Sequence, residues 1–202
     1  MARLECARCG RPVRLCLCAL IPSLDNRTRV LLLQHPDETR HALNTGRFVS
    51  LGLCKADLWV GETFPALAEL IAEHRALLLF PGAAAISTTD LAIDHQDDAK
   101  ERLLIVPDGT WKKARKLLYL NPVLEGLPRV VVPDGPPGRY RLRKAPSTQA
   151  LSTIEAVVRT LNALEPPASF DELLAPFEAL IASQIAEMGE ATYQRNYSGR
   201  ES

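Results

Sequence analysis

The chain has 202 residues, 47% of them hydrophobic, which suits one domain with a buried core and excludes a disordered tail. Its 24 basic and 24 acidic side chains cancel, so global charge gives no support to a nucleic-acid partner and that case rests on local clusters. No apolar run reaches membrane-spanning length, and Met1–Asn26 lacks the basic start and apolar centre of a secretory signal. A cytoplasmic protein with reduced thiols is expected.

In chain order, the first segment is rich in Cys and Arg and lacks helical periodicity, so residues 1–26 read as a metal-binding appendage and 27–202 as the main domain. Thr28–Gln34 predicts a strand buried on both faces. A helix over Asp37–Gly52 and a short strand over Ala56–Val60 follow. Pro65–His74 predicts a helix capped by Thr63. Ala76–Phe80, Arg102–Val106 and Arg129–Val132 are further apolar strands, each running into a turn: Pro81-Gly82, Pro107-Asp108-Gly109 and Pro133-Asp134-Gly135.

Trp111–Leu120 predicts a short basic helix, Ser147–Leu164 an amphipathic one capped by Ser147 or Thr148, and Phe170–Met188 a last one. Apolar strands alternating with helices predict an α/β domain with a mostly parallel sheet. Ligands of such sheets bind outside the carboxyl ends of the strands, which is where the three Pro/Gly turns fall.

Cys6-x2-Cys9-x6-Cys16-x-Cys18 sets four of the five cysteines within 13 positions. A tetrahedral Zn²⁺ needs four converging soft ligands, and such a set leaves no open position, so a structural role is expected. A redox-active CxxC pair or a chance cluster are the alternatives. Cys54 stands alone in apolar surroundings.

Asp108 ends a strand on a Gly-containing turn that leads into a helix, where a carboxylate can act as a base or hold a polar group. Spacing alone favours an ordinary helix cap for it, and core packing for Trp111. The run Lys112, Lys113, Arg115, Lys116 is either a solvated face or a phosphate-binding one. Arg139-Tyr140-Arg141-Leu142-Arg143-Lys144 reads as phosphate contacts with a stacking tyrosine, or as a charged edge strand. Ser152 and Thr153 suit a helix start, and Glu155 either faces inward or complements the dipole. His35, His41, His74 and His95 show no ligand spacing.

Together these residues resemble the DTW-domain family, the tRNA-uridine aminocarboxypropyltransferases. The resemblance rests on Cys6/Cys9/Cys16/Cys18 with Arg11-Pro12, on Gln34-His35-Pro36 with Asn44-Thr45 and Arg47, and on Asp108-Gly109-Thr110-Trp111. It continues through Tyr140-Arg141-Leu142-Arg143 and Leu151-Ser152-Thr153-Ile154-Glu155-Ala156, so the ordered blocks cover most of the chain.

The resemblance implies a SPOUT-like fold with a C-terminal trefoil knot that builds a pocket for S-adenosylmethionine. It also implies transfer of the 3-amino-3-carboxypropyl group from that donor to uridine N3 of tRNA, releasing methylthioadenosine. Asp108 would be the base or orient the uracil, with Thr110 and Trp111 holding the turn. The adenosine would lie against Phe80, Pro81, Gly82, Pro107, Gly109, Tyr140 and Leu142, with Ser152 and Thr153 also at the donor site. Arg47, Lys112, Lys113, Arg115, Lys116, Arg139, Arg141, Arg143 and Lys144 would face the donor's carboxylate or the RNA. Two alternatives stand beside this: a knotted RNA methyltransferase, and a non-catalytic zinc-containing RNA-binding protein. A monomer is favoured, with no obligate protein partner.

Overall fold

A computed structural model describes residues 4–41, 43–82, 84–88, 91, 100–138, 151–189, 192, 193 and 195. The basic segment Arg139–Lys144, including Tyr140 and Leu142, lies outside the described residues, as do the expected caps Ser147 and Thr148.

Among the described residues, six strands build the sheet: β1 (Arg29–Gln34), β2 (Ala56–Val60), β3 (Arg75–Leu79), β4 (Ile86–Ser87), β5 (Arg102–Asp108) and β6 (Arg129–Val131). Their order is β2-β1-β5-β3-β6-β4, and every neighbouring pair is parallel. The expected α/β domain with a parallel sheet is therefore present. β5 lies at the centre, between β1 and β3, where the chain switches from one half of the sheet to the other. In such folds that is where a crevice opens beyond the strand ends.

Among the described residues, five α-helices cover the two faces: α1 (Gly46–Gly52), α2 (Leu67–Glu73), α3 (Trp111–Leu120), α4 (Thr153–Leu164) and α5 (Ala175–Met188). Because side chains alternate along a strand, each strand feeds two cores. Val30, Leu32, Leu104 and Val106 pack with α1, α4 and α5 around Phe48, Val158, Leu161 and Phe177. Leu31, Leu33, Leu103 and Ile105 pack on the other face with Leu67 of α2 and Leu117 of α3. This double burial explains why β1 and β5 read as unbroken apolar runs. Among the described residues, no helix is long and apolar enough to cross a membrane.

Several elements depart from expectation. The helix expected over Asp37–Gly52 is α-helical only from Gly46, after a short 3-10 turn over Pro36–Glu38. Before it, side chains take the backbone groups that a helix would use. His35 Nδ1 accepts from the Asp37 amide, Thr39 Oγ1 donates to the Pro36 carbonyl, and His41 Nδ1 accepts from the Leu43 amide. α2 starts at Leu67 without a side-chain cap, so Thr63 does not fill that role.

α4 starts at Thr153 because Ser152, extended at φ −73° and ψ 160°, is the cap. Its hydroxyl accepts the Glu155 amide while Glu155 reaches back to the Ser152 amide, 2.8 Å away. That reciprocal capping box resolves the two readings of Glu155: the side chain is buried and bound to the helix start. The last helix begins as a 3-10 turn over Asp171–Leu174 before α5, with Pro176 in the first turn of α5. β4 is two residues long, too short for periodicity to mark.

The N-terminal segment folds onto this frame. Cys9 and Ile21 are buried in the core shared with α1, α4 and α5, and Leu24 bridges to Leu53 beyond α1.

Candidate functional site

The four clustered cysteines place their sulfurs within 4.8 Å of one another. The Cys6–Cys18 and Cys9–Cys16 sulfurs are 3.7 and 3.8 Å apart. A disulfide would need about 2.05 Å, whereas tetrahedral Zn–S bonds of about 2.3 Å separate sulfurs by about 3.8 Å. The geometry fits a four-thiolate metal site, and these cysteines could hold a metal ion.

The turn that creates it depends on Gly10, whose φ of +71° bends the chain just after Cys9. Backbone amides of Cys9 and Arg8 aimed at Cys6 lower its thiol to about 6. Burial, followed by hydrogen bonds from the other three cysteines, pushes Cys18 up to about 12. Four thiolates this close repel, so a cation is what lets all four ionise together.

A second site lies at the carboxyl ends of β3, β5 and β6, which open onto a cavity of about 430 Å³, within the range of small-molecule sites. Phe80 and Pro81 form one wall, Pro107 and Gly109 the floor, and Ser152 and Thr153 the side facing α4. The third turn contributes Val131 and Val132 to the wall instead of its Pro and Gly. Gly82 stands back, against the Arg129 side chain. Gly109, at φ 153°, holds a backbone setting that L side chains rarely adopt.

Trp111 corrects the core-packing reading. It is 46% exposed, lines the cavity and meets Phe80 edge-on, with ring centroids 5.7 Å apart. The Arg129 guanidinium carbon sits 5.7 Å from the Phe80 ring centroid and its NH1 donates to the Pro81 carbonyl. Arg129 escaped the sequence reading because a single Arg opening an apolar strand carries no pattern.

Asp108 is not the helix cap that spacing favours: Thr110 is, its hydroxyl accepting from the Lys113 amide. Nor is Asp108 on the cavity wall. It lies at the end of β5 beneath Gly46 of α1 and Thr153 of α4, while Val106, Pro107 and Gly109 meet the cavity. Register sets it beside Gln34 of β1.

Gln34 Nε2 donates to Asp108 Oδ2 at 2.6 Å, and Thr153 Oγ1 donates to Oδ1 at 2.5 Å. Asn44 fixes the Gln34 amide through a reciprocal pair of 3.0 and 3.3 Å. Gly46 closes the seat: a Cβ there would stand 2.6 Å from Asp108 Oδ2. Burial raises the Asp108 carboxyl above its ordinary 3.8; the two hydrogen bonds oppose the rise and nearby Glu38 adds to it. Gln34 and Asn44 entered the sequence reading only through the family motif. The signal for Gln34 was a polar residue ending an otherwise apolar strand.

The cationic candidates divide. Lys113 Nζ pairs with Glu38 at 2.8 Å and lies 3.5 Å from Asp37, while Lys116 Nζ pairs with Glu62 at 2.7 Å. Arg47 donates through Nε and NH2 to the Arg8 carbonyl, tying the cysteine loop to α1. Lys112 and Arg115 are exposed on α3.

The chain matches the DTW domain over residues 3–185. A Macaca fascicularis protein named tRNA-uridine aminocarboxypropyltransferase 2 is 30% identical over 193 residues, 91% of this chain and 64% of that protein. The Mus musculus protein of the same name is 29% identical, covering 96% of this chain and 68% of its own length. An Arabidopsis thaliana protein named tRNA-uridine aminocarboxypropyltransferase A is 27% identical, covering 80% and 72%. This chain thus spans just under two thirds of the first of these relatives. No solved structure matches it. A match running from the cysteine cluster through the cavity to the last helix makes this chain a member of the DTW-domain family.

Proposed function

We propose that the chain is a cytoplasmic tRNA-modifying enzyme that transfers the 3-amino-3-carboxypropyl group of S-adenosylmethionine to N3 of a tRNA uridine and releases methylthioadenosine. The observation that carries the proposal is the cavity beyond the carboxyl ends of β3, β5 and β6, with a buried carboxylate next to its floor. The names of the relatives supply the reaction class.

A sulfonium activates all three attached carbons, so the product is chosen by which carbon the cavity presents in line with the nucleophile. In this reading the apolar wall of Phe80, Pro81 and Val131 takes the adenosine. The Phe80–Trp111 pair offers an aromatic face beside it. Uridine N3 must lose its proton to attack, and Asp108 is the proton's destination. Thr110 holds the turn by capping α3.

Zinc, held by Cys6, Cys9, Cys16 and Cys18, is structural: four thiolates complete its coordination. Lys112 and Arg115 face tRNA phosphates, joined by Arg139, Arg141, Arg143 and Lys144. The family resemblance extends to a SPOUT-like knotted arrangement, with Tyr140 and Leu142 at the donor site. Pocket and metal site lie within one chain, which suits a monomer.

Mass spectrometry of nucleosides from tRNA incubated with protein and isotopically labelled donor tests this directly. Labelled aminocarboxypropyl-uridine with methylthioadenosine is expected. S-adenosylhomocysteine with a methylated base would identify a methyltransferase. tRNA binding with no consumption of donor would leave a binding protein.

A further inference from the structure

Asp108 carries a role that its position alone does not let it perform. It is 7% exposed and absent from the cavity wall. One carboxylate oxygen is held by Gln34 and the other by Thr153. Of these two partners, Thr153 is on the wall.

We propose that Thr153 is a catalytic proton relay, carrying the proton of the attacking substrate nitrogen from the cavity to Asp108, with Gln34 and Asn44 as the residues that position the acceptor. The inference rests on the transfer reaction proposed above.

Hydrogen-bond inventory supports it. A threonine hydroxyl has one proton and two lone pairs. The Thr153 proton is committed to Asp108 Oδ1 at 2.5 Å, so toward the cavity Thr153 can only accept. Its ligand partner must therefore be a donor, and N3–H of uridine is one. The ammonium, ribose hydroxyls and adenine amino group of the donor molecule are donors too, but of these groups N3–H is the one whose proton must leave for the transfer to occur; the donor's carboxylate is excluded.

The orientation of Gln34 follows from the same reasoning. An ionised Asp108 only accepts, so Gln34 must present its NH2 group. Asn44 enforces this by accepting from Gln34 Nε2 while donating to Gln34 Oε1. The charged groups around the seat leave the proton's path unblocked. Glu38, on the turn after β1, pairs with Lys113 of α3 and still favours the protonated Asp108 carboxyl, Arg47 of α1 is bound to the Arg8 carbonyl, and Glu155 of α4 is bound to Ser152. Among the described residues, no cation pairs with Asp108.

The step balances. The N3–H bond breaks and its proton goes to Thr153 Oγ1, as the Thr153 proton passes to Asp108 Oδ1. The freed N3 pair forms a bond to the γ-carbon of the donor's amino-acid arm. The C–S bond breaks with its electrons to sulfur, which leaves as a neutral thioether.

Thr153→Val keeps the side chain's shape and removes the relay. At saturating donor and tRNA its turnover should fall about 100-fold or more, with donor affinity by calorimetry unchanged and the thermal midpoint lowered, because buried Asp108 loses the hydroxyl 2.5 Å away. Thr153→Ser should recover turnover to within about tenfold. Gln34→Met should instead move the acid limb of the pH–rate profile upward, because the carboxylate loses a donor that stabilises its charged form.

A Thr153→Val protein with wild-type turnover and acid limb would overturn the relay. So would one whose only defect is weak donor binding, or a Gln34→Met protein with an unmoved limb. Failure of the wild-type protein to form methylthioadenosine would instead overturn the transfer reaction itself.

Discussion

At the scale of single residues, the role proposed for the buried carboxylate sets function against stability. Asp108 has its folded pKa raised by burial, so its protonated form is the one the fold prefers. The stability that this preference contributes is present below the ordinary value of 3.8 and is lost as pH rises through the raised folded value. Asp108→Asn should therefore melt higher than the parent at pH 8 and lose that advantage toward pH 3, while transfer at pH 8 falls about 100-fold or more. Calorimetry at the two pH values, paired with the nucleoside assay, checks both halves. Gly46→Ala probes the same seat from the opposite wall. Its Cβ would crowd Asp108 Oδ2 at 2.6 Å and Gln34 Nε2 at 3.3 Å. A loss of about 1–3 kcal/mol in urea unfolding is expected, with turnover reduced because the carboxylate is displaced.

Among the elements, α4 has a double role: its first turn supplies Thr153, and its apolar stripe of Ile154, Val157, Val158 and Leu161 is core. The capping box decides where that first turn begins. Ser152→Ala removes the cap, at about 1 kcal/mol, and takes from buried Glu155 the hydroxyl 2.6 Å away, which adds about 1–3 kcal/mol. Urea denaturation should give about 2–4 kcal/mol in total, against a few tenths for an exposed serine. Helix α3 shows how packing assigns roles to a charge run. Lys113 and Lys116 are occupied by Glu38 and Glu62, leaving Lys112 and Arg115 outward. A Lys112→Ala/Arg115→Ala protein should bind tRNA with a log–log salt slope reduced by roughly 1.5. Lys113→Ala should leave the slope nearly unchanged. Filter binding over a salt series separates the two.

On the scale of the whole molecule, the cysteine cluster and the cavity belong to one packed body. Cys9 lies in the core with α1 and α4, and Arg47 ties the Arg8 carbonyl to α1. α1 begins beside the Asp108 seat, through Gly46. Metal removal should therefore loosen more than the knuckle. If chelation costs about 3 kcal/mol, the melting midpoint falls by roughly 6–12 °C for a chain of this size, and readdition of Zn²⁺ restores it. A chelated protein with an unchanged midpoint would show that the four thiols hold no structural metal.

Much of this was legible before any coordinates. Unbroken apolar runs marked β1, β3, β5 and β6, the last three ending in Pro/Gly turns, because β1, β3 and β5 are buried on both faces and leave almost no polar positions. The bounds Trp111–Leu120 of α3 were readable although spacing favoured Asp108 over Thr110 as its cap, and the spacing of Cys6, Cys9, Cys16 and Cys18 announced a cluster that could hold a metal ion. The same double burial hid the direction of Asp108: when both faces of a strand are apolar, alternation carries no label for inside and outside. Its partners are 74 and 45 residues away in sequence, and only strand register and helix packing bring them together. The sequence by itself thus determined the layers, the strand ends and the ligand chemistry of the cysteines, all of which follow from local periodicity and residue type. Tertiary structure alone decided that Asp108 sits behind the cavity and that Thr153 stands between them, because that arrangement depends on non-local pairing, which no local pattern encodes.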